Sequence, residues 1–309
     1  LELIGYDPTL KPLNPEGRML HGHAFAANTM CVSSRTNWNP LATPCVVYGK
    51  GGAAYEVHGH HDVGQVCIDG FGKRLIVDAG GYASNNKEFY AASSHNVLTF
   101  NGQDMIEDRP KSRACFDQAE IRDRPALRAK LLASEFDDKR GGYWVLDTTD
   151  VYEGVAQARR MVVHLNPGVV VVLDTAALDK PGDISLRWHT ADKCKPDAGG
   201  RFVVRSGRNI SLESQVSHLG DEALAVARGE HQETRAGYVE ASLRATRCTL
   251  LTLFCVSDPS KEAQRWKGSK GSWSIQTAEG VVDVRVSNTE LSVAYRNILS
   301  GWRIRRSGK

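Results

Sequence analysis

The sequence predicts an all-β protein, a large antiparallel β-sandwich, and three observations carry that expectation. Short apolar or alternating runs recur from one end of the chain to the other. Turn signals separate them, among them Asp69-Gly70, Asn166-Pro167-Gly168, Lys180-Pro181-Gly182 and Ala198-Gly199-Gly200. Helical periodicity is scarce, which argues against alternating β-α units and for strands packed on strands.

Taken in order, the candidate strands are 44–48, 55–57, 64–69, 74–77 and 96–100, then 143–147, 159–164, 169–174 and 184–189. They continue at 201–204, 210–213, 238–245, 250–256, 272–277, 281–286 and 291–295. Most are rich in Val, Ile, Leu and Thr, side chains that suit a pleated, half-buried surface. Segments 221–227 and 259–266 are candidate short helices, while 127–134 fits either helix or strand. Residues 1–40 read as a lead-in segment, because the chain up to about Asn28 is rich in proline and glycine, and 41–309 as the sandwich domain. The long polar stretch 103–128 reads as a loop whose length points to a binding or partner-facing role. There is no internal repeat of fixed period and no Walker or Rossmann glycine fingerprint.

Composition bounds the function classes. The chain has 309 residues, enough for one large β domain or two ordinary ones with ample core. With 41% hydrophobic and 24% charged residues it reads as a soluble globular protein, not a disordered one. Its 39 basic and 36 acidic residues nearly balance, so nucleic acid is not an expected partner, and the basic RIRRSGK terminus reads as a solvated tail. No apolar stretch approaches the roughly 20 residues that cross a bilayer as a helix. Seven scattered cysteines without a C-x-x-C pair argue against a disulfide framework or zinc ribbon. The chain opens on Leu1 with no signal-peptide pattern, and it reads as a piece of something longer.

Chemistry concentrates between Tyr55 and Gly102, where four histidines and three aspartates sit among glycines. The skeleton is His58-x-His60-x-Asp62-x-Gly64, then Asp78-x-Gly80, then His95-Asn96. On a strand, residues two apart share a face, so His58 and His60 point one way and His61 the other. Two imidazoles and a carboxylate are an ordinary zinc set with room for a fourth ligand. The competing reading is a group of hydrogen-bonded interior polar side chains. His21-Gly22-His23 has no carboxylate nearby and is not expected to be a ligand pair. His164 and His189, on apolar strands, read as structural histidines; His218 and His231, in polar stretches, read as exposed. Ser93-Ser94 lacks the G-x-S-x-G elbow of a nucleophile.

The runs H-G-H-H-D-V-G, F-G-K-R-L-I-V-D-A-G and S-S-H-N-V-L-T-F-N-G, in this order, resemble the C-terminal signature of the heparinase II/III-like polysaccharide lyases. The segment ARRMVVHLNPGVVVVLDTAALDKPGDISLRWHT also resembles that family's sandwich strands, and the resemblance covers roughly 38–190 well. It implies a lyase that cleaves uronic-acid-containing polysaccharide, such as a glycosaminoglycan or alginate, by β-elimination. A zinc ion held by His60, Asp78 and His95 is implied, with His58 in the active cleft. A contributing tyrosine is implied between the aspartate and the HN histidine; of Tyr82 and Tyr90, Tyr90 suits the family's separation better. The resemblance further implies a periplasmic or secreted protein and an upstream α-helical toroid domain that supplies the principal base. Nothing in the chain resembles that toroid, so it reads as the sandwich part of such an enzyme. Two alternatives stay open. A cupin-like metalloenzyme also uses HxH on strands, but lacks its glutamate and P-x-G here. A non-catalytic carbohydrate-binding sandwich would use a metal only to pin strands.

Overall fold

A computed structural model describes residues 22–26, 30–39, 43–52, 60–79, 87–106, 128–207, 209–257, 264–297 and 300–306. The described chain is β throughout, with only short 3-10 turns besides strands. The first strands are β1 (His23–Ala26), β2 (Cys31–Arg35), β3 (Val46–Lys50), β4 (Val66–Gly70) and β5 (Lys73–Ile76). Then come β6 (Leu98–Phe100), β7 (Lys130–Asp137), β8 (Gly141–Asp147), β9 (Val155–Leu165) and β10 (Val169–Thr190). They are followed by β11 (Arg201–Ser206), β12 (Ile210–His218), β13 (Ala225–Glu230) and β14 (Gly237–Ser257). These fourteen strands form one sheet. A second sheet of five, in sequential order, holds β15 (Lys267–Ser269), β16 (Ser272–Gln276), β17 (Val281–Val286), β18 (Glu290–Tyr295) and β19 (Gly301–Arg305).

The spine is β10 against β14, antiparallel from Val169↔Cys255 to Thr190↔Gly237. The run Val169 to Leu173 is apolar at every position because both faces of the spine are covered. Val170 and Val172 enter one core with Trp144, Trp188 and Phe254. Val169, Val171 and Leu173 enter a second core with Ile275, Val284, Leu291 and Trp302 of the smaller sheet. That packing of sheet on sheet is the expected sandwich.

Several local expectations change. Segments 169–174 and 184–189 are one strand, not two, and Lys180-Pro181-Gly182 is a register shift between Ala177 and Gly182 instead of a chain reversal. Proline is tolerated at such a bulge because no ladder hydrogen bond is asked of its nitrogen. Segments 238–245 and 250–256 likewise merge into β14. The candidate helix 221–227 is replaced by β13 from Ala225, and 127–134 resolves as strand β7 from Lys130. In both, pairing to a neighbour (β13 on β14, β7 on β8) overrides a weak local preference. Of the candidate helix 259–266, only 264–266 are described and they are not helical. Strands β1 and β2 fall inside the 1–40 segment and extend the large sheet through β3. The 55–57 candidate and nearly all of the 103–128 loop lie outside the described residues.

Candidate metal and catalytic site

The site is assembled where the β4–β5 hairpin meets the C-terminal end of β10. The hairpin turns at Phe71-Gly72, two residues beyond the expected Asp69-Gly70, with both residues at positive φ (48° and 72°) as a tight two-residue turn demands. β5 ends by pairing Ile76 with Thr190, and the Val77 N–H donates to His189 O at 2.9 Å. Asp78 is therefore delivered beside the end of β10. From the other side, a 3-10 turn over Ala92–Ser94 closes with the His95 N–H on Ala92 O, and β6 then pairs with β10 through Leu98↔Leu186.

Asn96 fastens the two approaches together. Its Nδ2 donates to Val66 O (2.9 Å) and Val77 O (2.8 Å), and its backbone N–H donates to Gln65 Oε1. Its Oδ1 accepts from the His189 N–H (2.7 Å) and from His189 Nδ1 (3.2 Å). One fully buried amide thus bonds β4, the end of β5 and β10. In the HN pair the asparagine sets the address of the histidine.

His95 is fully buried, and its Nδ1–H donates to Asp78 Oδ1 at 2.8 Å. Its other ring nitrogen, Nε2, is buried with no hydrogen-bond partner. The His60 ring lies 5.1 Å from the His95 ring, and the Tyr90 ring stands edge-on to His60 at 4.8 Å. Burial, then the neighbouring His95 imidazole, holds His60 below the usual histidine pKa, so His60 favours the neutral form that a metal requires. His60, Asp78, His95 and Tyr90 therefore converge.

Their present arrangement is a hydrogen-bonded one. Among the described residues, no three His, Cys, Asp or Glu side chains are disposed to hold an ion as they stand. Two donor atoms on a tetrahedral zinc at about 2.1 Å would be roughly 3.4 Å apart. Asp78 Oδ1 and His95 Nδ1 at 2.8 Å are closer than that, and would open by about half an ångström if both became ligands. The donor types and the neutral His60 fit a divalent metal: Asp78 would join His95 as a ligand only through Nδ1 and after that opening, whereas binding through the unpartnered Nε2 would keep Asp78 as the carboxylate partner of Nδ1–H.

The rest of the HxHxDxG block has a structural part. Asp62 accepts from Lys50 Nζ at 2.6 Å, and Gly64, at φ 93°, donates its N–H to Lys50 O. His58 lies outside the described residues, as do His21 and Tyr82. His23 bonds to Ser34 Oγ and to Asp137 O, away from this cluster. His164 is the buried structural histidine expected, with Nδ1 2.7 Å from Ser34 Oγ. Ser94 donates to Glu88 O and lies 2.8 Å from His231 Nε2, so it is committed internally.

Three contributors carry no clear signal in the sequence. His231, expected to be exposed, is buried at 6% exposure because β13 folds onto β14 and carries it against Ser94. Its ring is 6.3 Å from that of His189. His189 is buried as expected, but it borders the cluster with an Nε2 that has no partner, and burial pushes its pKa down to about 3. Arg160 is the third. It forms a bidentate pair with Asp174 (2.7 and 3.0 Å) while Nη1 donates to Gly64 O (2.6 Å) and Asn96 O (2.5 Å). It thereby ties the loop after His60 to the residue after His95. Its one trace in the sequence is a charge on each of two adjoining apolar runs, Arg160 before Met161-Val162-Val163 and Asp174 after Leu173.

The fold is that of a β-sandwich domain. The chain belongs to the heparinase II/III-like C-terminal family, which matches residues 41–294. Among solved structures, the heparinase III BT4657 gene product superposes with a TM-score of 0.66 at 11% identity, covering 93% of this chain and 42% of that one. The heparan sulfate lyase HepC from Pedobacter heparinus gives 0.63 at 13% identity over 92% of this chain. A further heparinase III gives 0.59 at 14% identity over 92%. The chain spans 42% of the length of each. At such identities the likeness is one of fold. No curated protein matches the sequence.

Proposed function

We propose that this chain is the zinc-holding sandwich part of a lyase that cleaves uronic-acid-containing polysaccharide by β-elimination. The observation that carries this reading is the convergence of His60, Asp78, His95 and Tyr90 at one end of β10. In β-elimination a base removes the proton alpha to the uronate carboxylate and an acid protonates the departing glycosidic oxygen, while the carboxylate charge is stabilised. Tyr90 has a phenol able to donate to the leaving oxygen. His58 would contact the uronate or share the proton transfer. His60, Asp78 and His95 would hold the ion. A zinc ion bound there would supply a fixed cation, held at His60 close in sequence to His58. Asn96 and Arg160 keep the two ligand-bearing segments in register, which matters because catalytic advantage comes from fixed geometry.

The principal base and the remaining uronate contacts are assigned to an upstream helical toroid, and a periplasmic or secreted location follows from the same reading. No helix among the described residues is long and apolar enough to cross a membrane. Elemental analysis of the purified, tag-free protein should find about one zinc per chain, with most of it lost in His95→Ala. Full zinc in that variant would remove the metal assignment. The isolated chain should show little elimination. Joined to the upstream helical half, it should generate ultraviolet absorbance from unsaturated uronate ends on an acidic polysaccharide, and His58→Ala or Tyr90→Phe should lower that rate by orders of magnitude. No unsaturated ends from glycosaminoglycans, alginates or bacterial exopolysaccharides would defeat the lyase reading. Retained saccharide binding in that case would favour the non-catalytic one.

A further inference from the structure

The face of the spine that the smaller sheet covers changes character partway along. Met161, Leu173 and Leu251 lie in the core shared with that sheet. Two residues further along each strand, the same face presents Arg159, Thr175 and Thr249, and then Gln157, Ala177 and Arg247. Asn288 and Arg306, from the side of the smaller sheet, form the opposite wall, leaving an open groove of about 550 Å³. It lies about a dozen residues from His189 along β10, on the order of 40 Å at the rise of a strand.

The charges in this groove do not balance. Arg159 lies 3.5 Å from Asp147, yet its Nε is buried and makes no hydrogen bond. Arg306 is partly buried and donates to uncharged acceptors, Ser287 O and Thr249 Oγ1. Arg247 is exposed, and among the described residues no carboxylate pairs with it or with Arg306. Among the described residues, three guanidinium groups thus meet one carboxylate. Guanidinium groups stay ionised in proteins, and sinking one into a wall without a counter-charge is costly. Their planar forks suit the paired oxygens of carboxylate or sulfate groups. Between the arginines, Thr175, Thr249, Gln157 and Asn288 offer hydroxyl and amide groups of the kind that satisfy sugar hydroxyls.

We propose that this groove is a second saccharide-binding site, separate from the histidine cluster, that takes an anionic segment of the polysaccharide through Arg159, Arg247 and Arg306. The choice of a saccharide ligand rests on the proposed function; the demand for an anion does not. Bound there, one part of a long chain would be held while another part occupied the cluster, raising the local concentration of substrate.

The test uses the purified chain and hexasaccharides of three kinds: sulfated and uronate-containing, unsulfated and uronate-containing, and neutral. Titration calorimetry gives affinity, and hydrogen exchange gives the location. An acidic hexasaccharide should bind, protect 157–159, 247–249 and 287–289, and weaken steeply with salt; the neutral one should not bind there. Comparing the two acidic probes tells whether sulfate or carboxylate is the recognised group. Arg247→Glu, a change at an exposed position, should weaken binding at least about tenfold, as loss of a charge-assisted hydrogen bond implies. Its melting temperature should be unchanged, and Arg306→Lys should weaken binding less. Unaltered affinity in Arg247→Glu, protection confined to 87–96, or binding of inorganic sulfate with no gain from the oligosaccharide would each overturn the proposal. Elimination is read separately. An inactive enzyme that still binds through Arg247 defeats only the lyase reading, and an active one indifferent to Arg247→Glu defeats only this site.

Discussion

Removing the Asp174 carboxylate should destabilise the scaffold of the histidine cluster far more than removing a carboxylate from the protein surface. Arg160 and Asp174 have side chains 4% and 0% exposed, so neither can recover solvation from water if its partner is lost. In Asp174→Ala the guanidinium keeps its charge, loses both carboxylate bonds, and retains only the carbonyls of Gly64 and Asn96. Breaking a buried pair in this way costs about 3–5 kcal/mol, a large share of a typical total stability of about 5–15 kcal/mol. With a urea m-value near 3 kcal/mol/M, the unfolding midpoint should fall by roughly 1–1.7 M. The assay is urea denaturation followed by tryptophan fluorescence, since Trp188 lies under Arg160 at 5.6 Å. The internal control is Asp183→Ala, which breaks an exposed pair with Arg244 whose side chains are each 66% exposed, and should cost less than about 1 kcal/mol. A double variant Arg160→Met with Asp174→Leu should recover much of the stability but release the Gly64 and Asn96 carbonyls, so its zinc content should stay low. If Asp174→Ala shifts the midpoint no more than Asp183→Ala does, the pair is not what holds the two loops together.

Two further outcomes follow from buried groups. Burial, then the charge of His23, pushes the His164 pKa down to about 3, so the unfolded chain binds the proton more readily. Stability from this group is intact above about pH 6.5 and is lost as pH falls toward 3; between pH 7 and 5 it should drop by ~2 kcal/mol, with His189 adding in the same direction. Denaturation curves at the two pH values check this, and a pH difference unchanged in His164→Gln would contradict it. Gly141→Ala should be strongly destabilising, because Gly141 has φ 103° and a Cβ there would lie 2.0 Å from the His164 carbonyl oxygen. Gly154→Ala, at φ 68° with open space around it, should cost only the left-handed backbone penalty of about 1–2 kcal/mol. Equal losses in the two variants, read by thermal melting, would show that backbone conformation alone decides.

Local pattern determined a good deal about this protein. The period-two runs and their turn residues were enough for an antiparallel sandwich, because alternation and backbone punctuation are properties of neighbours in sequence. The blocks containing His60, Asp78 and His95 also stand out locally, but the choice of these three residues came from the resemblance to a family signature; the three lie together beside Tyr90. Tertiary structure decided what depends on distant partners. Whether Lys180-Pro181-Gly182 reverses the chain or only shifts a register is settled by β14 running alongside it. That Arg160 faces Asp174 is a matter of β9–β10 register, and that it reaches Gly64 and Asn96 is a matter of how the hairpin lies on the spine. His231 looks exposed in a polar stretch and becomes buried only because β13 pairs with β14. The three arginines of the groove come from β9, β14 and the residue after β19, far apart in sequence. Burial and charge balance arise from contacts between remote segments, and no local period encodes them.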